Sequence, residues 1–260
     1  MTEFWDRGWA KLAFDPHVLE WATQALPIAM QAMSAPENAH WWTCENTWFV
    51  GVDALPNQTD GSLNGGKPLS GGVKDAVLGL GYPWLDLHRA QVSIMRPGYP
   101  KPRDAESESA FRYRLKRDAA HLDGLLAVGP SRQRKLLEPH AYVVGLPLNS
   151  VPQEAAPLVV WEGSHKYVRA AFQARFAEVP PQDWPDVDVT DMYKTLRTQV
   201  FDTCRRVIVH AEPGESYVLH RHTLHGVAPW TATDPTHTDR VIAYFRPEFP
   251  EGIRPWLESP

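Results

Sequence analysis

The chain has 260 residues and a formal net charge of −5, and these two values already exclude some classes of protein. A negative balance argues against a general nucleic-acid-binding protein, which needs a basic face to displace counterions. The two cysteines, Cys44 and Cys204, are far apart, so neither a disulfide framework nor a structural zinc site is indicated. We see no signal-peptide pattern and no membrane-length apolar run, and we expect a cytoplasmic protein without a membrane partner.

Residues 1–87 are predicted to form helices and a loop that pack on a core built later in the chain. Asp15 and Pro16 are typical of a helix N-cap and first turn, and Pro27 is expected to bend this helix. Its apolar stripe consists of Val18, Trp21, Ala22, Ala25 and Ala29. Residues 51–72 are rich in Gly, Asn, Pro and Ser and indicate a long loop, which a short helix from Val73 to Leu80 follows.

The remainder of the chain carries a strand pattern with one interruption. Apolar or alternating runs, separated by turn signals, occur at 90–95, 142–146, 158–161, 207–209, 217–219 and 241–245. They predict a closed or two-layered antiparallel sheet. Between residues 166 and 204 the spacing becomes helical, at Val168, Phe172 and Phe176 and again at Met192, Leu196 and Val200, around a Pro-rich loop at 179–189. A helical insertion between strands is a natural place for a lid.

A basic run at 111–117 alternates aromatic or aliphatic residues with positive charges. One interpretation is a half-buried strand whose Arg112, Arg114 and Lys116 are solvated. The other is a wall that recognises an anionic substrate, to which Arg112, Arg114 and Arg117 would contribute. On the second interpretation, the substrate is a small molecule that carries a carboxylate or phosphate.

Candidate metal ligands occur at His121 and Asp123. Two histidines and one carboxylate are the ligand set that holds non-haem Fe(II) on one face. If residues 118–124 are extended, these two side chains leave the strand on the same side. The other such triplet, His210–Glu212, is followed at once by Pro213 and Gly214, which places it at the end of a strand that runs into a turn.

The third ligand must come from His220, His222 or His225. We favour His225, because we place it at the end of a strand that also contains His220, beside Gly226, which allows a close backbone approach. Four other histidines are interpreted as hydrogen-bonded structural residues, namely His88, His140, His165 and His210.

The order of motifs from residue 88 to 247 resembles one known family. An H-x-D triplet is followed by P-L-V-V-W-E-G-S-H-K, then by G-E-S-Y-V-L-H-R-H-T-L-H-G-V-A-P-W, and then by an arginine that opens an apolar strand. This is similar to the phytanoyl-CoA dioxygenase family of Fe(II)- and 2-oxoglutarate-dependent oxygenases. The resemblance implies a mainly β fold with flanking helices, whose core at 88–250 is a double-stranded β-helix of the jelly-roll or cupin type. The length and composition agree with a single catalytic domain over 1–260.

The same resemblance assigns roles to individual residues. It implies that His121, Asp123 and His225 bind iron and that Arg240 binds the far carboxylate of 2-oxoglutarate. Fifteen positions separate His225 from Arg240, a little more than is usual in the family, because residues 231–238 form an extra polar turn. Arg246 has the same strand parity as Arg240 and is the second choice for this role. Trp161 ends a strand beside the proposed site and is a further candidate contact.

The expected reaction is the oxidation of a small molecule with Fe(II), 2-oxoglutarate and O2, and with succinate and CO2 as products. Asp123 favours hydroxylation, since related halogenating enzymes have a small residue at that position. One alternative is a metal-dependent cupin enzyme that does not use 2-oxoglutarate and does not need Arg240. The other is a β-barrel binding protein without catalysis. The sequence leaves the substrate and the oligomeric state open.

Overall fold

The computed structural model describes residues 2–260, which form antiparallel sheets flanked by helices. The helices are α1 (Thr2–Arg7), α2 (Pro16–Ser34), α3 (Gly72–Gly79), α4 (Glu108–Lys116), α5 (Ser164–Phe176), α6 (Thr190–Thr203) and α7 (Ile253–Glu258), with 3-10 turns at Pro36–Trp41 and Pro181–Asp186. They contain more residues than the strands do, because the N-terminal third and the insertion are helical. Among the described residues, no helix is both long enough and apolar enough to cross a membrane.

The strands form two larger sheets and one hairpin. They are β1 (Trp9–Leu12), β2 (Trp42–Thr43), β3 (Trp48–Phe49), β4 (Gln91–Met95), β5 (Leu125–Val128), β6 (Gln133–Leu136), β7 (Tyr142–Pro147), β8 (Leu158–Glu162), β9 (Arg205–Val209), β10 (Ser216–His220), β11 (His225–Val227) and β12 (Arg240–Phe245). The seven-stranded sheet has the order β1-β10-β7-β12-β4-β3-β2, and the three-stranded sheet has the order β11-β8-β9. All pairs are antiparallel, and all six predicted strands are confirmed.

The two larger sheets share a buried apolar layer. The seven-stranded sheet contributes Val143, Tyr217, Leu219 and Ile242, and the three-stranded sheet contributes Leu158, Val160 and Val209. Burial of each aliphatic side chain of this kind stabilises the fold by about 1.5–3 kcal/mol. The other face of the seven-stranded sheet packs on the N-terminal helices, where the ring of Trp21 contacts Phe245. Successive side chains along these strands therefore point alternately into two apolar layers, one between the sheets and one against the N-terminal helices.

Helix α2 begins as its cap residues predict. Asp15 accepts hydrogen bonds from the backbone amides of His17 at 2.7 Å and Val18 at 3.4 Å. Its second carboxylate oxygen accepts from the amide of Gly72 at 2.9 Å, so one side chain also ties α2 to the start of α3. The five residues of the predicted stripe are all buried. The helix is one continuous element through Pro27.

The predicted strand at 111–117 is wrong, because this segment lies in α4. Ser107 caps the helix by accepting a hydrogen bond from the amide of Ala110. Arg112 forms an i,i+4 ion pair with Glu108, a spacing that fits a helix and not a strand. Arg114 is buried instead of solvated, and its guanidinium binds Glu106 at 2.6 Å. This cap and these ion pairs outweigh the alternation that pointed to a strand.

The helical insertion is confirmed as α5 and α6. Val168, Phe172 and Phe176 are the buried face of α5, and Leu196 and Val200 belong to that of α6. The hydroxyl of Tyr193, also in α6, accepts a hydrogen bond from the amide of Leu122 at 2.9 Å. The insertion is thereby attached to the segment that lies between His121 and Asp123.

Three buried histidines lie between α1 and α7. The ring of His220 is 5.0 Å from the rings of both His165 and His222, measured between centroids. His165 Nε2 bonds to the carbonyl of Trp5, and His222 packs edge-on against Trp256. Burial lowers the pKa of all three imidazoles, so the folded protein holds them neutral.

We predict that acid destabilises the fold through these histidines. Because their folded-state pKa values lie below the usual 6.5, the unfolded chain binds more protons as the pH falls through that value. The free energy of unfolding should drop by up to about 1.4 kcal/mol per pH unit for each histidine, and it should be restored above about pH 7. Urea titrations between pH 7 and pH 5 measure this slope.

The matched variants for this prediction are His222→Leu and His17→Gln. His222 is fully buried, whereas His17 is exposed on α2. The first variant should reduce the slope of unfolding free energy against pH, and the second should keep it. An undiminished slope in His222→Leu would show that other groups cause the acid sensitivity.

Candidate metal centre and co-substrate site

Three side chains converge at one end of the sheets and could hold a metal ion. Donor atoms of His121, Asp123 and His225 all lie within 4.8 Å of one another. The backbones of the two histidines are directly paired, with N to O distances of 2.8 and 3.1 Å. His225 begins β11 and is also paired with Val160 of β8. The sheet thus brings together residues that are a hundred positions apart.

Asp123 is the centre of the charge arrangement. Its Oδ1 lies 3.4 Å from His121 Nε2, and its Oδ2 lies 3.4 Å from His225 Nε2. Burial alone would raise the pKa of this carboxyl, but the charges of Arg246 and His225 hold it well below its usual range. The side chain is therefore an anionic oxygen donor at neutral pH.

The backbone orients both imidazoles of the candidate site. His225 Nδ1 lies 2.9 Å from the carbonyl of Thr223, and His121 Nδ1 lies 3.1 Å from the carbonyl of Ala119. A carbonyl only accepts, so each Nδ1 carries the proton and each Nε2 is left for a metal. Burial would lower the pKa of His225, but the Asp123 carboxylate overrides this effect and raises it.

The segment that precedes the ligands is a turn, and residues 118–124 do not form an extended strand. Asp118 and Ala119 both have positive φ angles, and among residues 118–124 only His121 forms a β-bridge. Asp118 is fixed by a 2.6 Å ion pair with Arg206. Its carbonyl accepts from Val227 and lies so close to Gly226 that a Cβ there would overlap it. Gly226 is thus needed to bring the turn against β11.

The three candidate histidines occupy different positions. His220 ends β10 in the seven-stranded sheet, whereas His225 begins β11 in the three-stranded sheet, so they do not share the single strand that we predicted. Residues 221–224 pass from one sheet to the other. His220 and His222 belong to the buried cluster beside α1 and α7. Of the three, only His225 lies with His121 and Asp123.

Arg240 begins β12 and is buried, with an exposed fraction of 4%. Its Nη1 is buried and has no hydrogen-bond partner among the described residues. Burial raises the pKa of the nearby Tyr217 well above its usual value, and the Arg240 guanidinium opposes this rise. The Tyr217 hydroxyl donates in turn to that of Tyr244 at 2.9 Å. A buried guanidinium with an unused donor is suited to bind a carboxylate.

Arg246 follows the opposite end of β12 from Arg240. Its Nη1 lies 3.3 Å from Asp123 Oδ1, so its charge already faces a carboxylate. The sequence did not indicate this pair, since 123 positions separate its members. Of the two arginines considered for 2-oxoglutarate, Arg240 is the one whose charge has no carboxylate within 4 Å in the described chain.

The arginines predicted to contact substrate have other partners. Arg112 pairs with Glu108, and Arg114 pairs with Glu106, whose pKa this hydrogen bond lowers to about 2. Arg117 stacks over the ring of Phe201, with its Cζ 4.4 Å from the ring centroid. Two of the three charges are therefore compensated within α4 and the residues before it.

The remaining predicted residues lie close to the strands that carry the site. Trp161 is buried in β8 next to Val160, the partner of His225, and packs against Phe201 at 5.2 Å. Three of the histidines expected to be structural bond to backbone carbonyls: His140 to Arg246, His165 to Trp5, and His210 to Val151. His88 is the exception, with a buried Nδ1 that has no partner.

Similarity searches give structural neighbours only. No family model matches the sequence, and no curated protein matches it. The solved structures that resemble this chain include the non-haem alpha-ketoglutarate-dependent carbocyclase SnoK from nogalamycin biosynthesis, at 13% identity and a TM-score of 0.47, covering 96% of this chain and 87% of SnoK. EctD from S. alaskensis, solved with 2-oxoglutarate and 5-hydroxyectoine, has 14% identity and a TM-score of 0.41, covering 94% and 73%.

A third neighbour is EvdO2 from Micromonospora carbonacea var. aurantiaca in complex with 2-oxoglutarate. It has 14% identity and a TM-score of 0.42, and the alignment covers 99% of this chain and 95% of EvdO2. At these identities and TM-scores, the similarities do not by themselves assign an activity to this chain.

Proposed function

We propose that the chain is an Fe(II)- and 2-oxoglutarate-dependent dioxygenase that hydroxylates a small molecule and releases succinate and CO2. The observation that carries this proposal is the convergence of His121, Asp123 and His225, whose donor atoms lie within 4.8 Å of one another. Two imidazole nitrogens and one carboxylate oxygen suit Fe(II), and they leave positions free for a co-substrate and O2. The buried guanidinium of Arg240, whose Nη1 has no hydrogen-bond partner among the described residues, supports 2-oxoglutarate as that co-substrate.

We further propose that residues 1–260 are one catalytic domain with a double-stranded β-helix core, of the kind found in the phytanoyl-CoA dioxygenase family. Two antiparallel sheets that share one buried layer support this proposal. The position of the candidate ligands also supports it, since His225 lies at the end of a strand of the smaller sheet. Residues 164–203 form the helical insertion next to the site.

The protein's part in the reaction follows from its own residues. His121, Asp123 and His225 would hold Fe(II), which when bound with 2-oxoglutarate and O2 supplies the oxidising power for C–H hydroxylation. The backbone carbonyls of Ala119 and Thr223 fix the two imidazoles. Arg246, whose Nη1 lies 3.3 Å from Asp123 Oδ1, helps to keep this carboxylate ionised.

The residues that would orient the co-substrate lie in the buried layer between the two larger sheets. Arg240 would bind the far carboxylate of 2-oxoglutarate, with the hydroxyls of Tyr217 and Tyr244 beside it. The apolar residues around these groups exclude water and strengthen the pairing of charges. Trp161 lies on the other face of β8 from Val160 and packs against Phe201, so it does not face this layer. Asp123, which occupies the carboxylate position, favours hydroxylation over halogenation.

The test is oxygen consumption and succinate formation by the purified protein with Fe(II), ascorbate and 2-oxoglutarate. Slow turnover without the primary substrate is expected, and both His121→Ala and Asp123→Ala should abolish it. The control is His17→Gln, which replaces an exposed histidine on α2. An absence of turnover, together with no binding of 2-oxoglutarate under anaerobic Fe(II), would favour a cupin enzyme without 2-oxoglutarate or a non-catalytic barrel.

A further inference from the structure

A cavity of about 290 Å³ lies beside the candidate metal centre. It is formed where β4 and β7 begin and where β12 ends, with the loop after β3 as a further wall. The strand register places these points at one end of the seven-stranded sheet, since Tyr244 pairs with Gln91 and Phe245 pairs with Val144. Arg246 lines the cavity and also contacts Asp123, so one side chain separates the cavity from the metal ligands.

The walls of this cavity carry an excess of negative charge. Four carboxylates line it, from Asp53, Asp86, Glu138 and Glu248. Within the described chain, three of them have no cationic side chain within 4 Å, and the fourth, Glu138, faces the ring of His140 at 3.3 Å. The charge of Arg246 already faces Asp123. Burial lowers the pKa of His88, the other imidazole in the wall, to about 4, so this ring adds no positive charge at neutral pH.

Two imidazole nitrogens in the same walls lack hydrogen-bond partners. His140 is 6% exposed, and its Nδ1 donates to the carbonyl of Arg246 at 2.8 Å. Its Nε2 makes no hydrogen bond, because the approach of Glu138 at 3.3 Å does not have hydrogen-bond geometry. The buried Nδ1 of His88 also has no partner. Because burial keeps the His88 ring neutral, its free Nδ1 can accept a hydrogen bond and is suited to a ligand that donates an N–H group.

We propose that this cavity, which we call the acidic cavity, binds a positively charged group of the primary substrate, such as an ammonium or a guanidinium. This inference rests on the proposed function insofar as it identifies the ligand as the substrate. The carboxylates would neutralise the charge, and His88 Nδ1 would accept an N–H hydrogen bond. Because Arg246 lines this cavity and also contacts Asp123, a ligand in the cavity would lie close to the proposed iron site.

The proposal replaces the anionic substrate that the basic run at 111–117 indicated. Arg112 and Arg114 are paired with Glu108 and Glu106, so they have little charge to offer to a substrate anion. In the acidic cavity, by contrast, three carboxylates have no cationic side chain within 4 Å in the described chain. A cation therefore matches this face of the site better than a carboxylate or a phosphate does.

The experiment uses n-butylammonium and n-butylguanidinium as probes and n-butyrate as the anion of matched size. Ligand-observed NMR gives their dissociation constants for the full chain. The test variant is Asp53→Asn with Asp86→Asn, which removes two charges from exposed side chains, and Asn tolerates the positive φ of residue 53. The matched control is Glu178→Gln with Asp202→Asn, which removes two exposed charges from the helical insertion.

We expect the two cations to bind the wild type more tightly than butyrate does. Loss of the two cavity charges should weaken cation binding by at least about threefold, whereas the control pair should keep the wild-type constants. Equal cation binding by the wild type and the cavity variant would overturn the proposal, as would a preference for butyrate. Unfolding temperatures of the two double variants, measured in parallel, verify that both are folded.

Succinate formation by the same wild-type sample separates this inference from the proposed function. Succinate without charge-dependent cation binding would retain the oxygenase and reject the acidic cavity. Cation binding that depends on Asp53 and Asp86, without any succinate, would retain the cation site and reject the oxygenase. A failure of both measurements would reject both proposals.

Discussion

The His225→Ala variant is expected to lose Fe(II) binding and 2-oxoglutarate turnover together, with metal affinity lower by more than about 100-fold. Removal of the residues that merely orient a metal ligand typically costs 10–100-fold, and removal of a ligand itself exceeds this. The effect should be large because one of only three donor groups is lost. Mn(II) titration followed by electron paramagnetic resonance measures affinity, and succinate formation measures turnover.

The controls for this prediction are the histidines that compete with His225 for the same role. His210→Gln alters the rival H-x-E triplet, whose imidazole bonds to the carbonyl of Val151, and should leave metal affinity unchanged. His222→Ala should reduce stability but not metal affinity, because its ring lies against Trp256. Retention of metal by His225→Ala, with loss in His222→Ala or in His220→Ala, would reject the assignment of His225.

Much of the architecture could be predicted because it depends on local patterns. The stripe of α2, the helices of the insertion and the six strands each follow from the spacing of apolar residues over one short window. The caps are equally local, as the Asp15 side chain at the start of α2 illustrates. These features need no knowledge of what the element packs against.

Helix α4 shows where this approach fails. Phe111, Tyr113 and Leu115 alternate with basic residues and so have the period of a strand, but the side chains that decide the structure lie outside this pattern. Glu106, five residues before Phe111, binds the guanidinium of Arg114 and draws it into the protein. The tertiary ion pair and the Ser107 cap override a short periodic signal.

The candidate site shows a similar division. The residue types at 121, 123 and 225 indicated a metal centre, and the structure does bring these three side chains together. Their assembly depends on the turn at Asp118 and Ala119 and on the close contact of this turn with Gly226, which no extended strand would produce. The contact of Arg246 with Asp123 and the acidic cavity could not be predicted, since they depend on contacts between segments that are distant in sequence.

The Arg240→Leu variant is expected to raise the KM for 2-oxoglutarate by about 30-fold or more. Loss of one partner from a buried, hydrogen-bonded charge pair costs roughly 2–5 kcal/mol, which corresponds to this range. Because the variant removes a buried charge that has no carboxylate partner within the described residues, the fold itself should tolerate the change. Succinate formation against 2-oxoglutarate concentration gives KM and kcat, and the affinity for Mn(II) should stay close to that of the wild type.

The matched variant is Arg246→Leu, which removes the arginine that follows β12 and its 3.3 Å contact with Asp123. It should weaken metal binding more than Arg240→Leu does, because Asp123 would lose the charge that lowers its pKa. If Arg246→Leu raises the KM for 2-oxoglutarate and Arg240→Leu does not, then Arg246 is the residue that binds the co-substrate. If neither variant changes a metal-dependent activity, the chain does not use 2-oxoglutarate, and a cupin enzyme would explain the metal centre better.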